Sequence, residues 1–277
     1  MNATRLVPRR VEKVWGRRDL PACFGSVASD ADPVGEIWFE DPRGGAPALL
    51  VKYLFTSEKL SIQVHPDDAL ARAHGLPSGK DEAWFVLAAE PGAVIGLGLT
   101  RVVDKAALRQ AALDGSLEAL VDWRPVEAGE TYYSSAGTIH AIGAGLQLVE
   151  VQQNADVTYR LYDYGRPREL HLDAAIEAAD PGPWRVTAGS GATGDHRNIL
   201  AEGSRLVLER WQGPLRADLG ATPSRPVWLI PLVGEVSLDE TPVEAGGVWL
   251  VEGGGTLELG AQADLLVAHL PGAPRPE

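Results

Sequence analysis

Alternation along the stretch Leu60-Ser-Ile-Gln-Val-His-Pro-Asp-Asp constrains the fold more than any other feature of the chain. In a β-strand, alternate side chains share one face. We therefore predict that Ser61, Gln63 and His65 point to one side and that the two apolar residues between them point into the core of a barrel. Taken alone, the stretch is equally compatible with a half-exposed strand that ends in a surface histidine, so the rest of the sequence must decide.

Composition limits the classes of protein that this chain can belong to. Its 277 residues fit one large domain or two small ones. A single cysteine, Cys23, excludes an intramolecular disulfide and a cysteine-based zinc cluster, and favours a reducing cytoplasm. The sequence shows neither the apolar core of a signal peptide nor an apolar run long enough to span a membrane. The net charge of −13 argues against nucleic acid or an anionic membrane as partner, and we expect a monomer or a weak homodimer.

Most of the chain reads as short strands separated by turns, and strong helical periodicity is confined to residues 103–123. Asp104 is the predicted N-cap of this helix, Gly115 breaks it, and a second short helical turn follows up to Val121. We interpret the segment as a helical insertion or lid beside the sheets. Gly189-Ser-Gly-Ala-Thr-Gly is interpreted as part of a linker.

Two short internal repeats indicate a duplication. Val126-Glu-Ala-Gly recurs as Val243-Glu-Ala-Gly, and an ungapped alignment from there places His140 opposite Leu257.

The second repeat lies further upstream in each half. Trp84-Phe-Val-Leu resembles Trp228-Leu-Ile-Pro, which places Glu82 opposite Pro226. If the halves are related folds, the second has lost the polar residues of the first, which separates an active half from a structural half.

A set of four residues in the first half suits a metal ion. Its members are Gln63, His65, Glu82 and His140. Two imidazoles and a carboxylate suit a borderline divalent ion such as zinc, with positions left for water or substrate, and Gln63 would add a neutral oxygen. Each histidine alone is more typical of a structural or surface residue. The complete set indicates a site at the mouth of a β-barrel.

The glycines before His140 sharpen this prediction. The spacing Gly129-x7-Gly137-x2-His140 resembles the second cupin signature, with Ser135 where proline is usual. Gln63-Val-His also stands where many cupins have His-x-His. We therefore predict a mainly β fold, a double jelly-roll of cupin-like β-barrels with a small helical insertion.

The same features predict two domains. Residues 1–185 are expected to form the metal-binding catalytic cupin domain, with the helical insertion near 104–122. Residues 186–277 are expected to form a degenerate cupin-like β domain without a metal site.

Four motifs, in order, resemble the type I mannose-6-phosphate isomerases (phosphomannose isomerases) in their short bacterial form. They are Leu60-Ser-Ile-Gln-Val-His-Pro-Asp-Asp, Gly79-Lys-Asp-Glu-Ala-Trp, Ala136-Gly-Thr-Ile-His-Ala-Ile-Gly and Thr158-Tyr-Arg-Leu-Tyr-Asp-Tyr-Gly-Arg. The resemblance covers roughly residues 10 to 175, and beyond them the chain resembles the family only in outline.

The resemblance implies a role for individual residues. The positions that match the family's zinc ligands, for one Zn²⁺ per chain, are Gln63, His65, Glu82 and His140. Arg160 matches the catalytic arginine, and Glu150 matches a pocket carboxylate proposed to act in proton transfer. The positions near the phosphate or sugar are Ser61, Lys80 and Arg166.

The activity that the resemblance implies is a zinc-dependent aldose–ketose isomerisation. Mannose 6-phosphate and fructose 6-phosphate would interconvert through a cis-enediol, which the metal and Arg160 would stabilise. Glu150, a metal-bound hydroxide or a histidine could be the base. Two other functions stay open: a non-catalytic cupin that senses sugar phosphates, and a metal-dependent oxygenase, which would give Arg160 no role.

Overall fold

Short strands dominate the fold, which was obtained as a computed structural model that describes residues 3–185, 189–194 and 196–272. The elements of the first part are β1 (Ala3–Arg5), β2 (Val7–Arg17), a 3₁₀ turn (Ala22–Phe24), β3 (Val34–Glu40), β4 (Leu49–Phe55), β5 (Ile62–Val64), α1 (Asp68–Ala73), β6 (Glu82–Ala89), β7 (Val94–Leu99), α2 (Lys105–Asp114), α3 (Leu117–Leu120), β8 (Val121–Pro125), β9 (Thr131–Ser134), β10 (His140–Ile142), β11 (Leu146–Gln153), β12 (Tyr159–Tyr162) and α4 (Leu172–Ala178). The elements of the second part are β13 (Gly189–Gly194), β14 (Arg197–Glu202), β15 (Val207–Gln212), β16 (Leu215–Leu219), β17 (Val227–Val233), β18 (Val236–Leu238), β19 (Thr241–Pro242), β20 (Trp249–Val251), β21 (Gly255–Leu259) and β22 (Asp264–His269).

The strands form two barrels of the same topology. In the first barrel a sheet in the order β2-β3-β4-β11-β6-β9 faces one in the order β12-β5-β10-β7-β8. In the second, β1-β20-β17-β22-β15-β14-β13 faces β16-β21-β18-β19. The strands β13 to β22 therefore repeat the arrangement of β2 to β11, and the predicted double jelly-roll is confirmed.

The two barrels share a layer of buried side chains. The outer face of the first barrel's large sheet contributes Val51, Phe85 and Val149, and these pack with Trp228 and Leu266 from the large sheet of the second barrel. The central strand β4 is buried along its whole length because one face lines the first barrel and the other lies in this layer. The barrels are thus held together by a shared hydrophobic core.

Helices cover the outer face of the smaller sheet of the first barrel. Ile62 and Val64 of β5 pack there with Leu108 of α2 and Ala175 of α4. The prediction that these two strand residues point into the barrel core is therefore wrong, although the alternation itself is correct. The helical layer gives the strand a second apolar environment, which a period-2 pattern cannot distinguish from a barrel interior.

The helical insertion occurs where the sequence predicts it. The Asp104 carboxylate accepts a hydrogen bond from the Ala107 backbone N–H at 2.7 Å, and Gly115 ends α2 with a left-handed φ of 81°. Val121 does not extend the helical segment but begins β8. Among the described residues, no helix is long and apolar enough to cross a membrane.

The repeat of Trp84-Phe-Val-Leu as Trp228-Leu-Ile-Pro is also present, but its register differs by one residue from the predicted one. Trp84 points into the first barrel, whereas Trp228 lies in the shared layer and its neighbour Leu229 points into the second barrel. Glu82 therefore corresponds to Val227 rather than to Pro226, because a shift of one residue exchanges the two faces of a strand.

The division into two domains stays a proposal. The predicted boundary adjoins residues 186–188, which lie outside the described residues. The segment interpreted as a linker contains the strand β13. At the other end of the chain, β1 pairs with β20 and so belongs to a sheet of the second barrel.

Candidate metal centre and active site

Three potential ligands meet inside the first barrel because each lies at the end of a strand. His65 directly follows β5, Glu82 begins β6, and His140 begins β10. The strands β5 and β10 are paired with Gln63 opposite His140, which brings the four predicted metal-binding residues to one end of the barrel. All three of the charged or imidazole side chains are almost completely buried.

The ligand atoms of these three residues converge. His65 Nε2 lies 3.2 Å from Glu82 Oε1, and His140 Nε2 lies 3.5 Å from Glu82 Oε2. One ligand atom from each residue can be chosen so that all lie within 4.8 Å of one another. Two imidazole nitrogens and a carboxylate at this spacing fit a divalent cation such as zinc.

Hydrogen bonding supports a metal-binding role for this cluster. The Glu82 carboxylate is buried. Lys80 Nζ lies 2.7 Å from its Oε1 atom, whereas its Oε2 atom has no hydrogen-bond partner among the described residues. Such orphaned atoms are rare in folded proteins and need an explanation such as a bound ion. The Nδ1 atom of His140 lies 2.9 Å from the Thr138 carbonyl oxygen, to which it can donate. This tautomer leaves Nε2, 3.5 Å from Glu82 Oε2, with the lone pair that a metal ion needs.

The protonation states favour cation binding. Burial and the neighbouring Lys80 ammonium lower the pKa of His65 to about 3. Burial also lowers the pKa of His140. Burial alone would raise the pKa of Glu82, but the neighbouring Lys80 ammonium holds it well below the usual range. At neutral pH both imidazoles are therefore neutral and the carboxylate is ionised, which are the forms that bind metal ions.

Gln63 lies beside the cluster. Its amide nitrogen is 3.3 Å from His140 Nε2, and its amide oxygen accepts a hydrogen bond from Ser61 Oγ at 3.3 Å. A rotation of the amide by 180° would exchange the two atoms and direct the oxygen at the cluster, since Ser61 can also accept a hydrogen bond. The Gln63 amide therefore adjoins the three potential ligand side chains.

A polar cavity opens from the cluster. Its lining residues are Lys13, Trp15, Glu36, Trp38, Lys52, Leu54, Leu60, Ser61, Gln63, Lys80, Glu82, Ile142, Glu150, Asp156, Thr158, Arg160 and Arg168. Six of the predicted site residues are in this set, and the imidazoles of His65 and His140 adjoin it through Glu82.

Glu150 is buried in the wall of this cavity and is held from both sides. Its Oε1 atom accepts a hydrogen bond from Trp84 Nε1 at 3.0 Å, and its Oε2 atom lies 3.0 Å from Lys52 Nζ. Both partners are opposite Glu150 on the neighbouring strands β6 and β4. Burial and the nearby Glu82 charge raise the pKa of Glu150, and Lys52 opposes that rise.

Arg160 reaches the cavity from β12, where it pairs with Gln63 of β5. One guanidinium nitrogen, Nη1, donates to the Glu169 carbonyl oxygen at 2.6 Å, while Nε is buried without a hydrogen-bond partner. Arg160 therefore presents a fixed positive charge on the same face of the sheet as Gln63.

The three residues predicted near substrate occupy different environments. Ser61 and Lys80 line the cavity, and Lys80 Nζ lies 2.7 Å from Glu82 Oε1. Arg166 is outside the lining set. Its Nη2 atom donates to the Lys59 carbonyl oxygen at 2.6 Å and lies 3.2 Å from the Asp163 carboxylate.

Sequence reasoning did not single out several residues of the cavity. Lys52 lies within the apolar strand Leu49–Phe55, where one charged residue among buried neighbours is the available signal. Glu36 of β3 is also buried and lines the cavity. Arg168 lines it two residues after Arg166, and its guanidinium binds the Asp163 carboxylate at 2.6 and 2.7 Å.

The corresponding positions of the second barrel are apolar. Ala217 is opposite Leu257 on the paired strands β16 and β21, as Gln63 is opposite His140 on β5 and β10. The counterparts of Gln63, His65, Glu82 and His140 are Ala217, Leu219, Val227 and Leu257, which all lie in the buried core of the second barrel. Fold and cluster together define a double cupin barrel with a candidate metal site in its first barrel.

Comparison with known proteins places this cupin in a family. No family model matches the chain. It is 36% identical over 182 residues to a mannose-6-phosphate isomerase of Streptococcus mutans, an alignment of 63% of this chain and 57% of the relative. It is 34% identical over 212 residues, 63% of this chain and 67% of the relative, to the putative mannose-6-phosphate isomerase YvyI of Bacillus subtilis.

Solved structures agree over a longer stretch. The mannose 6-phosphate isomerase of Bacillus subtilis matches with a TM-score of 0.81 at 25% identity, covering 97% of this chain and 100% of that chain. A zinc-bound mannose 6-phosphate isomerase shares the fold, with a TM-score of 0.71 at 15% identity over 98% of this chain and 100% of that one. The chain belongs to the mannose-6-phosphate isomerase family. It spans about half the length of the first three curated relatives that it matches.

Proposed function

We propose that the protein is a zinc-dependent mannose-6-phosphate isomerase that interconverts mannose 6-phosphate and fructose 6-phosphate. The observation that carries this proposal is the convergence of His65, Glu82 and His140 at a cavity that Glu150 and Arg160 also line. The cytoplasm is the proposed location, because the single cysteine suits a reducing compartment.

Zinc is proposed as the cofactor, with one ion per chain. His65, Glu82 and His140 would hold it, and Gln63 would be a fourth ligand after rotation of its amide. The neutral imidazoles and the buried Oε2 atom of Glu82, which has no hydrogen-bond partner, support this assignment. The bound cation would supply Lewis-acid stabilisation of the negative charge that develops on the oxygens at C1 and C2.

The side chains of the cavity would share the remaining work. Isomerisation moves a proton between C2 and C1 through a cis-enediol, so a base must take and return that proton. Glu150 is the proposed base, because burial raises its pKa and because Trp84 and Lys52 fix its orientation. Arg160 would stabilise the developing negative charge through its permanently charged guanidinium.

The phosphate and sugar are proposed to contact Ser61, Lys80 and Arg166. Support differs between these residues, since Ser61 and Lys80 line the cavity whereas Arg166 lies behind Asp163. Arg168 shares Asp163 with Arg166 and does line the cavity. Comparing KM for Arg166→Ala and Arg168→Ala decides which guanidinium binds substrate, because the loss of a phosphate-binding arginine raises KM directly.

A coupled assay for fructose 6-phosphate tests the activity. Zinc-loaded protein is expected to convert mannose 6-phosphate, to lose activity when a chelator removes the metal, and to regain it on zinc addition. His140→Ala is the matched variant that should remain inactive at any practical zinc concentration. Binding of mannose 6-phosphate without turnover by the zinc-loaded protein would instead favour the sensing function, and absence of both would contradict the family assignment of substrate.

A further inference from the structure

Asp81 lies between two residues of the active site and points away from the cavity. The residue is buried, and its carboxylate accepts two hydrogen bonds. The Tyr133 hydroxyl donates to Oδ2 at 2.6 Å, and the Ala136 backbone N–H donates to Oδ1 at 2.9 Å. The Asp81 side chain therefore connects, by hydrogen bonds, the segment that carries Lys80 and Glu82 to the turn that precedes His140.

The same turn is bonded to the third potential ligand. The Gly137 backbone N–H donates to the His65 carbonyl oxygen at 2.9 Å, and the Lys80 backbone N–H donates to the Pro66 carbonyl oxygen at 3.1 Å. The backbones around His65, Glu82 and His140 are thus joined in one hydrogen-bonded frame that includes the Asp81 carboxylate.

Gln153 connects this frame to α1. Its Oε1 atom accepts from the Asp81 backbone N–H at 3.0 Å, and its Nε2 atom donates to Asp68 Oδ1 at 3.0 Å. Asp68 Oδ1 also accepts from the Gly79 backbone N–H at 2.8 Å. The loop between β5 and β6 is therefore closed at its base by side-chain hydrogen bonds rather than by packing alone.

The second barrel contacts this frame from outside. The turn between β14 and β15 places Gly203 so close to Tyr133 that a Cβ atom on the glycine would lie 2.0 Å from Tyr133 Cζ. In the same turn, Arg205 forms an ion pair with Asp68 at 2.8 Å. One turn of the second barrel therefore contacts both Tyr133, which binds Asp81, and Asp68, which binds Gln153.

We propose that Asp81 is a positioning residue for the metal site, and that the Gly203–Arg205 turn of the second barrel holds it in place through Tyr133 and Asp68. This inference rests on the proposed metal site. It assigns to the second barrel, whose interior is apolar, a part in metal binding by the first. Partners that orient metal ligands contribute strongly to affinity, so loss of this support should weaken binding about 10–100-fold.

Cobalt substitution tests the proposal independently of activity. The full chain is loaded with Co²⁺, whose visible absorption reports ligand geometry, and its affinity is measured by competition with a chelator. Asp81→Asn and Tyr133→Phe are expected to change the absorption spectrum and to lower Co²⁺ affinity about 10–100-fold. Gly203→Ala should also change the absorption spectrum and lower the Co²⁺ affinity, because the new methyl group must displace the Tyr133 ring.

Two matched controls separate positioning from general destabilisation. Tyr132→Phe removes a comparable tyrosine–carboxylate hydrogen bond, that to Glu130 at 2.8 Å, from the opposite face of the same strand. Gly254→Ala adds a methyl group in the second barrel, where the nearest atom is 3.4 Å away. Both are expected to keep the wild-type spectrum and affinity.

The outcomes distinguish this proposal from the proposed function. If wild-type protein binds no Co²⁺, both are overturned. If it binds Co²⁺ and Gly203→Ala and Asp81→Asn keep the wild-type spectrum and affinity, the positioning role alone is overturned. Should Asp81→Asn fail to fold by circular dichroism, Tyr133→Phe and Gly203→Ala decide the question.

Discussion

The pairing of Glu150 with Lys52 shows how a single strand residue can control acid–base chemistry. Both side chains are buried, and each would be costly to bury alone. Burial and Glu82 raise the pKa of Glu150, while the Lys52 ammonium limits that rise. The lysine therefore opposes the protonation of the carboxylate that burial favours.

This pair predicts a pH effect with a definite sign. If Glu150 is the base, kcat/KM rises as pH rises through its pKa, and this limb lies above the ordinary glutamate value of 4.5. Lys52→Met removes the charge that lowers this pKa, so the limb should move to higher pH. The measurement is kcat/KM as a function of pH for the variant and for the wild type. Ionisation of the substrate phosphate affects both profiles equally, so a difference between them comes from the protein.

Lys105→Met is the control for this experiment, because Lys105 is exposed on α2 and binds the Glu177 carbonyl oxygen. Its profile should coincide with that of the wild type. A Lys52→Met profile that also coincides would remove Glu150 as the titrating base.

Residue types at strand ends indicated the cluster of potential metal ligands, but the same reasoning could not single out Lys52. His65, Glu82 and His140 stand out because polar ligands follow or precede apolar strands. Lys52 lies in the middle of a strand whose neighbours are buried on both faces. Its role depends on Glu150 of β11, a partner that only the strand register identifies.

At the level of elements, local signals decided which helices could be predicted. Asp104 and Gly115 bound α2 with a side-chain cap and a left-handed glycine, and both are visible in the sequence. The helix α4 was not predicted. It has seven residues, and His171 at its N-cap makes no side-chain capping hydrogen bond. Its stability comes from packing of Ala175 against Leu108 and its neighbours, which no local pattern reveals.

The helical layer predicts a difference between two leucines of α2. Leu108 is completely buried, whereas 59% of Leu113 is exposed. Leu108→Ala should lower the free energy of unfolding by about 2–5 kcal/mol because it leaves a cavity. Leu113→Ala should change it by less than about 0.5 kcal/mol. Urea denaturation followed by circular dichroism compares the two, and equal effects would contradict the packing of α2 into the helical layer against α4 and β12.

The strand repeat also shows a limit that belongs to elements. Matching tryptophans suggested Trp84 and Trp228 as equivalents, yet they lie on opposite faces of corresponding strands. A one-residue change in register reverses every side chain, and short motifs do not fix the register. The duplication itself was predicted correctly because turn motifs such as Val126-Glu-Ala-Gly precede equivalent strands, β9 and β20.

For the whole molecule, the duplicated fold separates two tasks. The first barrel keeps polar residues at its mouth, and the second fills the corresponding positions with Ala217, Leu219, Val227 and Leu257. Charged or imidazole ligands would be costly to bury there without partners. The shared core between the barrels makes the second a structural support for the first.

This asymmetry predicts the metal content of the molecule. Protein loaded with zinc and freed of excess metal should contain one ion per chain by elemental analysis, since only the first barrel brings the cluster together among the described residues. His140→Leu, which places in the first barrel the residue that the second has at Leu257, should abolish tight binding rather than halve it. Two ions per chain in the wild type would contradict the assignment of an apolar second barrel.

The pairing of β1 with β20 has a consequence for synthesis on the ribosome. Ala3 finds its partner Val251 only after nearly all of the described chain has been made. At about 5–20 residues per second, that interval is on the order of ten to fifty seconds. Strand β1 therefore cannot pair with β20 until the first barrel and most of the second have been translated, so it joins the sheet of the second barrel late.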